Sequence, residues 1–492
     1  MSAATAKTAH LTAHNGTIAV LTVTNPPVNA LSHHVRVALC EGVDQVLADE
    51  SIRALIIQCA GRTFFAGADV KELNRPIEPP LLGDVMAAFE ASGKPVIAAM
   101  HGTALGGGFE VALAAHFRVA VPSTTVGLPE VALGLLPGAG GTQRVPRIVG
   151  VEAAVEMIAL GRKVGAAEAL ELGLIDAVVE EGRLEEQAVA FAEQVLREGR
   201  SLRRVRDVVM HGDAAEIERI FAGFRKRHPE MFVGLKAPEG ALQAIEAAAT
   251  LSFDEGIVRE RDIARALTAS PESAAQRHLF FAERAAAKLA GAEAVQPHPL
   301  AGVTLQGEVD DRLLKLALPD GQDAVIRCNA AGLEASSESD PSRVVGIATG
   351  EGLWEIALGD CTAPDVALGV MAMLRSKGVQ SIFVRLGAVR VADRLAAALT
   401  RAVDVLLAEG RDMADIVASA RDYGFGPEAI PGEGGGAVDE AIIETLVSAG
   451  VAEARALVAE GRVMRASDID VAAVKGGLWP LWRGGPAFVG GL

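Results

Sequence analysis

The sequence predicts an α/β protein that contains more than one domain. In its first third, short apolar runs typical of strands buried on both faces alternate with helical patterns, the order expected of strand–loop–helix crossover units. Glycines and other small residues fill the loops between them. The 492 residues provide material for about two to four domains. Half of the residues are hydrophobic and the mean hydropathy is +0.29, which excludes a largely disordered chain.

Charge and cysteine content restrict the classes of function. The formal net charge of −17 argues against a general binder of nucleic acids or membrane surfaces, which would need a basic face. A small anionic ligand is compatible with this charge only through local basic groups. The four cysteines show no paired spacing, so neither a metal site nor a disulfide framework is expected. No apolar run reaches transmembrane length and no signal-peptide core is present, so we expect a soluble cytoplasmic protein.

Local patterns predict the elements of the first 150 residues. Residues 10–24 form two β-rich runs around an Asn-Gly pair, a β-hairpin signal. A helical pattern covers residues 32–49, and residues 54–59 (Ala-Leu-Ile-Ile-Gln-Cys) read as a strand buried on both faces. Residues 95–100 predict another buried strand, which leads into three consecutive glycines, and residues 118–121 predict a third.

The rest of the chain changes character twice. From about residue 150 to 290 the pattern is almost entirely helical, and residues 291–300 have linker composition. A β-rich segment follows, with predicted strands at residues 313–318, 324–328, 344–347, 353–358 and 382–384 and a helix at 364–377. The last hundred residues are helical, and residues 406–411 and 457–462 share the pattern Leu-x-Ala-Glu-Gly-Arg. This weak repeat predicts two similar helical units packed on each other.

Two loops of the same form carry the candidate chemistry. They are residues 66–69 (Ala-Gly-Ala-Asp) and residues 104–110 (Ala-Leu-Gly-Gly-Gly-Phe-Glu), each after a buried strand. Small residues leave backbone amides open to a ligand, and a helix N-terminus adds unpaired amides and partial positive charge. Two amides that converge on one oxygen, which we predict to be those of Ala68 and Gly107, would form an oxyanion hole. The alternative is that both loops are tight turns whose small residues serve packing.

Glu110 and Glu130 are the candidate acid–base pair. Glu110 lies among apolar neighbours, where desolvation would raise the pKa of a carboxyl group towards neutrality. Glu130 follows Pro129 in an apolar run. Paired carboxylates could position a water molecule and carry its proton, although either glutamate could instead be solvated or salt-bridged. His101, beside the glycines, is interpreted as a structural histidine and not as a base.

These motifs resemble the crotonase (enoyl-CoA hydratase/isomerase) family. The resemblance rests on residues 66–69, 104–110, 129–130 and 136–144 (Leu-Pro-Gly-Ala-Gly-Gly-Thr-Gln-Arg), which occur in the family's order and spacing. It implies a fold of repeated ββα turns that binds an acyl-CoA thioester and contains no permanently bound cofactor or metal. Coenzyme A would enter only as part of the substrate.

The resemblance also implies roles for individual residues. The amides of Ala68 and Gly107 would hold the thioester oxygen, while Glu110 and Glu130 would bind the water and move protons to and from Cα and Cβ. Gly138 would supply a supporting backbone amide. Ala66 and Lys71 are candidate contacts to coenzyme A. The basic residues at 203–204 and 225–228 are further candidates for its phosphates, or else belong to a solvated helix face.

The resemblance extends along the chain to the multifunctional β-oxidation enzymes, which fuse a crotonase half to a 3-hydroxyacyl-CoA dehydrogenase half. The matching residues are 25–32, 236–238, 251–256, 278–284, 467–470 and 482–486. A dehydrogenase half needs a strand followed by a Gly-x-Gly-x-x-Gly loop. Residues 301–309 contain no such loop. Residues 432–437 match the glycine pattern as a string but do not follow a strand, so they are interpreted as a loop. Ala348 stands where the resemblance places a histidine. NAD is therefore not expected, and this half is interpreted as truncated and degenerate.

We expect four regions: a crotonase core (1–190), a helical linker region (191–292), a small degenerate dehydrogenase-like α/β segment (301–385) and a C-terminal helical domain resembling that of the dehydrogenase (386–492). The expected function is hydration of 2-trans-enoyl-CoA in β-oxidation, with acyl-CoA as the only expected partner. The alternatives are an isomerase or lyase for a specialised acyl-CoA, or a scaffold without activity. The oligomeric state is left open.

Overall fold

The structure is a computed structural model that describes residues 8–492 except 70, 71, 73–75, 77, 211, 308, 310, 317–319, 322, 329–339, 386 and 388. The chain forms two compact units, Met1–Ser270 and Pro271–Leu492. Both combine helices with sheets, which confirms the predicted α/β class. Across the described ranges, no helix is both long and apolar enough to span a membrane.

The first unit is built on a six-stranded sheet and a smaller three-stranded sheet. Its strands are β1 (Ala9–His14), β2 (Ile18–Val23), β3 (Ala54–Cys59), β4 (Val96–Met100), β5 (Thr103–Leu105), β6 (Phe117–Ala120), β7 (Thr125–Gly127), β8 (Val164–Gly165) and β9 (Ala177–Val178). The large sheet has the order β1-β2-β3-β4-β6-β9 and the small one β5-β7-β8. In the large sheet β1 and β2 pair antiparallel, and the other described pairs are parallel. The β1–β2 hairpin confirms the prediction, with Asn15 and Gly16 at φ of 53° and 66° in the turn.

Nine helices of the first unit lie within the described residues. They are α1 (His33–Ala48), α2 (Leu82–Ala91), α3 (Gly107–Ala114), α4 (Gly141–Ile158), α5 (Ala166–Glu171), α6 (Leu184–Glu198), α7 (Ala214–Arg227), α8 (Ala237–Thr250) and α9 (Phe253–Thr268). A 3-10 helix covers Glu130–Leu133. Residues 150–290 are mainly helical as predicted, but the sequence did not predict β8 and β9. Each strand contains only two residues, which is too short to show an alternation of apolar and polar residues.

The parallel strands of the first unit form its core. All residues of β3 and β4 are buried, as their unbroken apolar runs predict. One hydrophobic cluster joins these strands to α1, α3, α4 and α8. The loops that carry the candidate chemistry therefore follow strands that belong to the buried core of this unit.

The second unit contains a five-stranded sheet of order β10-β11-β12-β13-β14. The strands are β10 (Val303–Gly307), β11 (Ala324–Cys328), β12 (Val344–Ala348), β13 (Trp354–Leu358) and β14 (Ser381–Arg385). The helices are α10 (Pro271–Ala286), α11 (Asp311–Leu314), α12 (Pro364–Ser376), α13 (Val391–Ala408), α14 (Met413–Tyr423), α15 (Glu440–Ala459), α16 (Ala466–Lys475) and α17 (Pro486–Val489). Five of the predicted elements, β11 to β14 and α12, are confirmed.

One predicted strand of this segment is wrong. The sequence predicts a strand at residues 313–318, but residues 311–314 form the short helix α11, and 317–319 lie outside the described residues. The reason is topological: β10, which the sequence did not predict, pairs in parallel with β11. A parallel pair needs a crossover connection, and α11 belongs to it.

The predicted helical repeat corresponds to α13–α14 and α15–α16. Leu406 and Leu457, which occupy equivalent positions in the repeat, are both buried in the same hydrophobic cluster. The boundary between the two compact units, after Ser270, falls inside the predicted linker region 191–292. The division into four regions stays a prediction.

Candidate active site

The three consecutive glycines at the start of α3, of which Gly106 precedes the helix and the other two begin it, each meet a different steric demand. Gly106 has φ of 53°, and a Cβ atom there would stand 2.9 Å from Glu130 Oε1. A Cβ atom on Gly107 would stand 3.3 Å from the backbone nitrogen of Ala68, and one on Gly108 would clash with the carbonyl oxygen of Phe65. Neighbouring protein atoms therefore favour glycine at all three positions, whether or not a ligand binds.

Ala68 and Gly107 lie close together, since a Cβ atom on Gly107 would stand 3.3 Å from the backbone nitrogen of Ala68. A backbone hydrogen bond from Leu31 to the Gly67 carbonyl oxygen (2.9 Å) fixes the first loop, and Gly107 is the first residue of α3. Within the described residues, neither amide donates a hydrogen bond to a protein acceptor. Two open amides next to a helix N-terminus can stabilise a negatively charged oxygen. The structure thus brings together the two residues predicted for an oxyanion hole.

Glu110 lies on α3 with its side chain fully enclosed. It is 2% exposed, and its Oε1 accepts hydrogen bonds from the backbone amides of Ala139 (2.9 Å) and Gly141 (2.8 Å). Burial raises the pKa of Glu110, while these two amides and the nearby Arg144 partly oppose that rise. The two amide donors stabilise the ionised carboxylate where burial alone would favour the acid.

Glu130 opens the 3-10 helix and lies beside Gly106. Its Oε2 is buried and has no hydrogen-bond partner among the described residues. Burial, and after it the negative charge of Glu110, raises the pKa of Glu130 well above its ordinary value. The pKa of Glu130 is thus raised more strongly than that of Glu110, so Glu130 keeps its proton more readily.

The sequence did not single out Glu260, a third buried carboxyl group. It lies on α9 with 0% exposure, and its Oε1 accepts a hydrogen bond from the Gly140 amide at 2.7 Å. Its Oε2 accepts from the amide (3.1 Å) and the hydroxyl group of Thr142. Burial and the charge of Glu110 raise the pKa of Glu260 to about 8. The available signal was its place on the apolar face of α9, where the buried residues are Gly256, Glu260, Ile263 and Leu267.

A cavity of about 410 Å³ is lined by Ala68, while Gly107, Glu110 and Glu130 are not among its lining residues. Its lining includes Ala68, Gly138 and Ala139 together with apolar and charged side chains. The apolar side chains include Leu31, Leu82, Met86 and Ile257, and the charged ones include Arg36, Glu90, Arg144, Arg206 and Arg261. Gly138 thus lies where the resemblance implies, at the edge of the site.

The remaining candidate residues lie in different surroundings. The amide of Ala66 donates to the Val28 carbonyl oxygen (3.2 Å), and Lys71 lies outside the described residues. His101 Nε2 lies 3.0 Å from the Gly61 carbonyl oxygen, as a structural histidine would.

The predicted basic clusters at 203–204 and 225–228 are not part of the cavity lining. Arg203 forms an ion pair with Asp176, and Arg225 forms one with Glu239. The basic residues of the lining are Arg36, Arg144, Arg206 and Arg261. They were missed because they come from four separate segments that only the fold brings together.

The second unit places its candidate features on a sheet and a loop. Ala348 ends β12, and residues 432–437 lie in the loop between α14 and α15, as predicted. In the described part of the whole chain, no group of three or more His, Cys, Asp or Glu side chains is arranged to hold a metal ion.

Comparison with known proteins places these features in a family context. The profile of the family described as enoyl-CoA hydratase/isomerase matches residues 13–243. A probable enoyl-CoA hydratase of Bacillus subtilis (strain 168) is 44% identical over 183 residues, which are 36% of this chain and 71% of that protein.

Longer relatives match as well. Peroxisomal bifunctional enzymes of Danio rerio and Homo sapiens are 42% and 39% identical to 55% and 56% of this chain. These matches cover only 37% and 38% of the two relatives, so this chain corresponds to little more than a third of their length.

Proposed function

This chain belongs to the enoyl-CoA hydratase/isomerase family, and we propose that its first unit adds water to 2-trans-enoyl-CoA to give 3-hydroxyacyl-CoA. The observation that carries the proposal is the pair Glu110 and Glu130. Glu110 is buried on the helix that Gly107 begins, and Glu130 Oε2 is buried with no partner among the described residues. A buried, unpartnered carboxyl oxygen is costly unless a ligand or water uses it.

The two amides would act on the thioester carbonyl. Its oxygen would accept hydrogen bonds from Ala68 and Gly107, whose amides would stabilise the enolate that forms when water adds to Cβ. The N-terminus of α3 contributes partial positive charge at the same place. One such donor is worth roughly 10²–10³ in rate.

The two glutamates would divide the proton transfers. Glu110, whose carboxylate is stabilised by two amide donors, would take a proton from the water as its oxygen bonds to Cβ. Glu130, which keeps its proton, would donate it to Cα, so that the elements of one water molecule are added across the double bond. Return of a proton from Glu110 to Glu130 restores the starting state. The same enolate would allow isomerisation of the double bond as a side activity.

We propose that coenzyme A enters only with the substrate. Arg261 lines the cavity, is exposed, and forms no ion pair within the described residues, so it is suited to contact a phosphate. Contact of Ala66 and Lys71 with coenzyme A and a supporting backbone amide from Gly138 remain proposals. A role in β-oxidation and a cytoplasmic location also remain proposals, since the bifunctional relatives are named as peroxisomal.

We further propose that the second unit does not transfer hydride to NAD. This rests on the sequence after Ala301, which lacks a Gly-x-Gly-x-x-Gly motif behind a strand, and on Ala348 at the end of β12. The unit would then serve as a scaffold or interaction surface.

A substrate series tests the proposal. Purified full-length chain is mixed with enoyl-CoA thioesters of increasing chain length, and the loss of enoyl-thioester absorbance is followed with and without NAD. Reversible hydration without NADH formation is expected. Absence of turnover on every thioester would favour the scaffold alternative, double-bond migration alone would favour the isomerase, and cleavage of an acyl-CoA without hydration would favour a different lyase. NADH formation would contradict the proposal for the second unit.

A further inference from the structure

We propose that Glu260 is a positioning residue of the active site, which orients Glu110 through the peptide segment 139–142 that the two side chains share. The inference rests on the proposed function for its kinetic consequences. Glu260 lies beyond residues 13–243, which the family profile matches, so the machinery would extend into α9.

The two carboxyl groups hold four successive amides in alternation. Glu110 accepts from the amides of Ala139 and Gly141, and Glu260 accepts from those of Gly140 and Thr142. The segment bends at Gly140, with φ of 101° and ψ of 10°, and enters α4 at Gly141, so each carboxyl group holds two amides of the same short turn. Loss of the two bonds to Glu260 would free the amides of Gly140 and Thr142, which adjoin the two amides that hold Glu110.

The carbonyl groups of the segment are held separately: Arg144 donates to the Ala139 oxygen at 3.1 Å, and the amides of Gln143 and Arg144 donate to the Gly140 oxygen. Within the described residues, its four amides donate only to Glu110 and Glu260. The segment includes Gly140, with φ of 101°, and Gly141, the first residue of α4. Glycines leave the backbone free to move unless side chains fix it. The hydroxyl group of Thr142 also donates to Glu260, which adds a side-chain anchor at the end of the segment.

Helix α9 is shaped to bring Glu260 to this position. Gly256, one turn before Glu260, faces the side chain of Gln143, and a Cβ atom at 256 would clash with Gln143 Oε1. Because α9 can approach α4 only where that Cβ is missing, Gly256 and Glu260 act together. The carboxyl group reaches the amides without leaving its buried helix face.

The charged groups around Glu260 connect its role to a measurable quantity, the pKa of Glu130. Glu110 faces it from α3, Glu130 from the 3-10 helix and Arg144 from α4, and Arg144 is itself paired with Glu90 at 2.6 Å. Above its pKa of about 8, the negative charge of Glu260 helps to hold the proton on Glu130, so removal of that charge should lower the pKa of Glu130.

The test compares Glu260→Gln with Asp262→Asn, which removes one negative charge from the exposed face of the same helix. For Glu260→Gln we expect kcat for enoyl-CoA hydration to fall about 10- to 100-fold with KM changed less than about threefold. The basic limb of the pH profile should move to lower pH. Asp262→Asn should match the wild type. A wild-type kcat in Glu260→Gln, or a reduced kcat with an unshifted pH profile, would overturn the positioning role.

A second readout does not depend on activity. Amide hydrogen exchange of peptides covering residues 138–143, followed by mass spectrometry, should be faster in Glu260→Gln than in wild type and unchanged in Asp262→Asn. If wild-type enzyme hydrates no enoyl-CoA, the proposed function fails, yet the exchange data still decide on Glu260: unchanged exchange overturns the inference. Should Glu260→Gln fail to fold, Thr142→Val removes the hydroxyl group that donates to Glu260 and accepts from Gln143, and the same result is expected.

Discussion

Glu130 Oε1 lies 2.9 Å from the point that a Cβ atom on residue 106 would occupy. Gly106 also has φ of 53° and ψ of −131°, a backbone conformation that residues other than glycine rarely adopt. Gly106 thus leaves space for the Glu130 carboxyl group and also allows the backbone conformation of the turn. A side chain at this position would press on the glutamate and strain the loop that presents the Gly107 amide.

Gly106→Ala is therefore expected to lower kcat strongly. A displacement of about 1 Å in a catalytic group can cost about 10²-fold, and we expect a loss of this size in enoyl-CoA hydration. Gly93→Ala is the control, because a Cβ atom at Gly93 would have nothing within 4 Å. Equal kcat in the two variants would show that Gly106 does not position Glu130.

The activity should depend on pH in a bell-shaped manner. Reaction requires an ionised Glu110 and a protonated Glu130, and the pKa values of both are raised, that of Glu130 the more strongly. Activity should be lost at low pH as Glu110 gains a proton and at high pH as Glu130 loses one. The acidic limb should lie above the ordinary glutamate pKa of about 4.3. A profile of kcat/KM that is flat from about pH 5 to about pH 9 would contradict this assignment.

Glu260 should make the stability of the first unit fall as pH rises. Its pKa is raised to about 8 in the folded chain, so the folded state binds more protons than the unfolded state at intermediate pH. This contribution is fully present below the unfolded pKa of about 4.3 and is lost as pH rises to about 8. Glu260→Gln cannot titrate, so its melting temperature relative to wild type should rise between about pH 5 and about pH 8. A constant difference would contradict the raised pKa.

Breaking the buried ion pair between Arg144 and Glu90 should be strongly destabilising. The two side chains are 3% and 4% exposed, and Arg144 also donates to the Ala139 carbonyl oxygen. Glu90→Gln should cost about 3–5 kcal/mol in the free energy of unfolding, because Arg144 loses its main counter-charge. Urea unfolding measures this. Glu186→Gln, in an exposed ion pair with Arg183, should show no measurable change, and equal stability of the two variants would contradict the prediction.

Much of the site was accessible to sequence reasoning because its signals are local. Strand β3 is apolar almost throughout, and the glycine run stands directly between β5 and α3. Ala68, Gly107, Glu110 and Glu130 were identified from residues close to them in the chain. The structure brings all four to one place.

The missed features depend on contacts between distant segments. Glu260 lies 118 residues from Thr142, and its polar partners are mainly backbone amides, which no side-chain pattern reveals. The same applies to Arg206 and Arg261, which the fold brings to a cavity also lined by α2. The strand expected at 313–318 failed because a crossover between parallel strands needed a different element.

The central claim is that Glu110 and Glu130 together hydrate an enoyl thioester. The most direct measurement is the hydration rate of crotonyl-CoA by wild type, Glu110→Gln and Glu130→Gln, with circular dichroism to confirm that each is folded. Wild type should turn over, and each variant should lose about 10²–10⁴-fold in kcat. Wild-type rates in either folded variant would contradict the account.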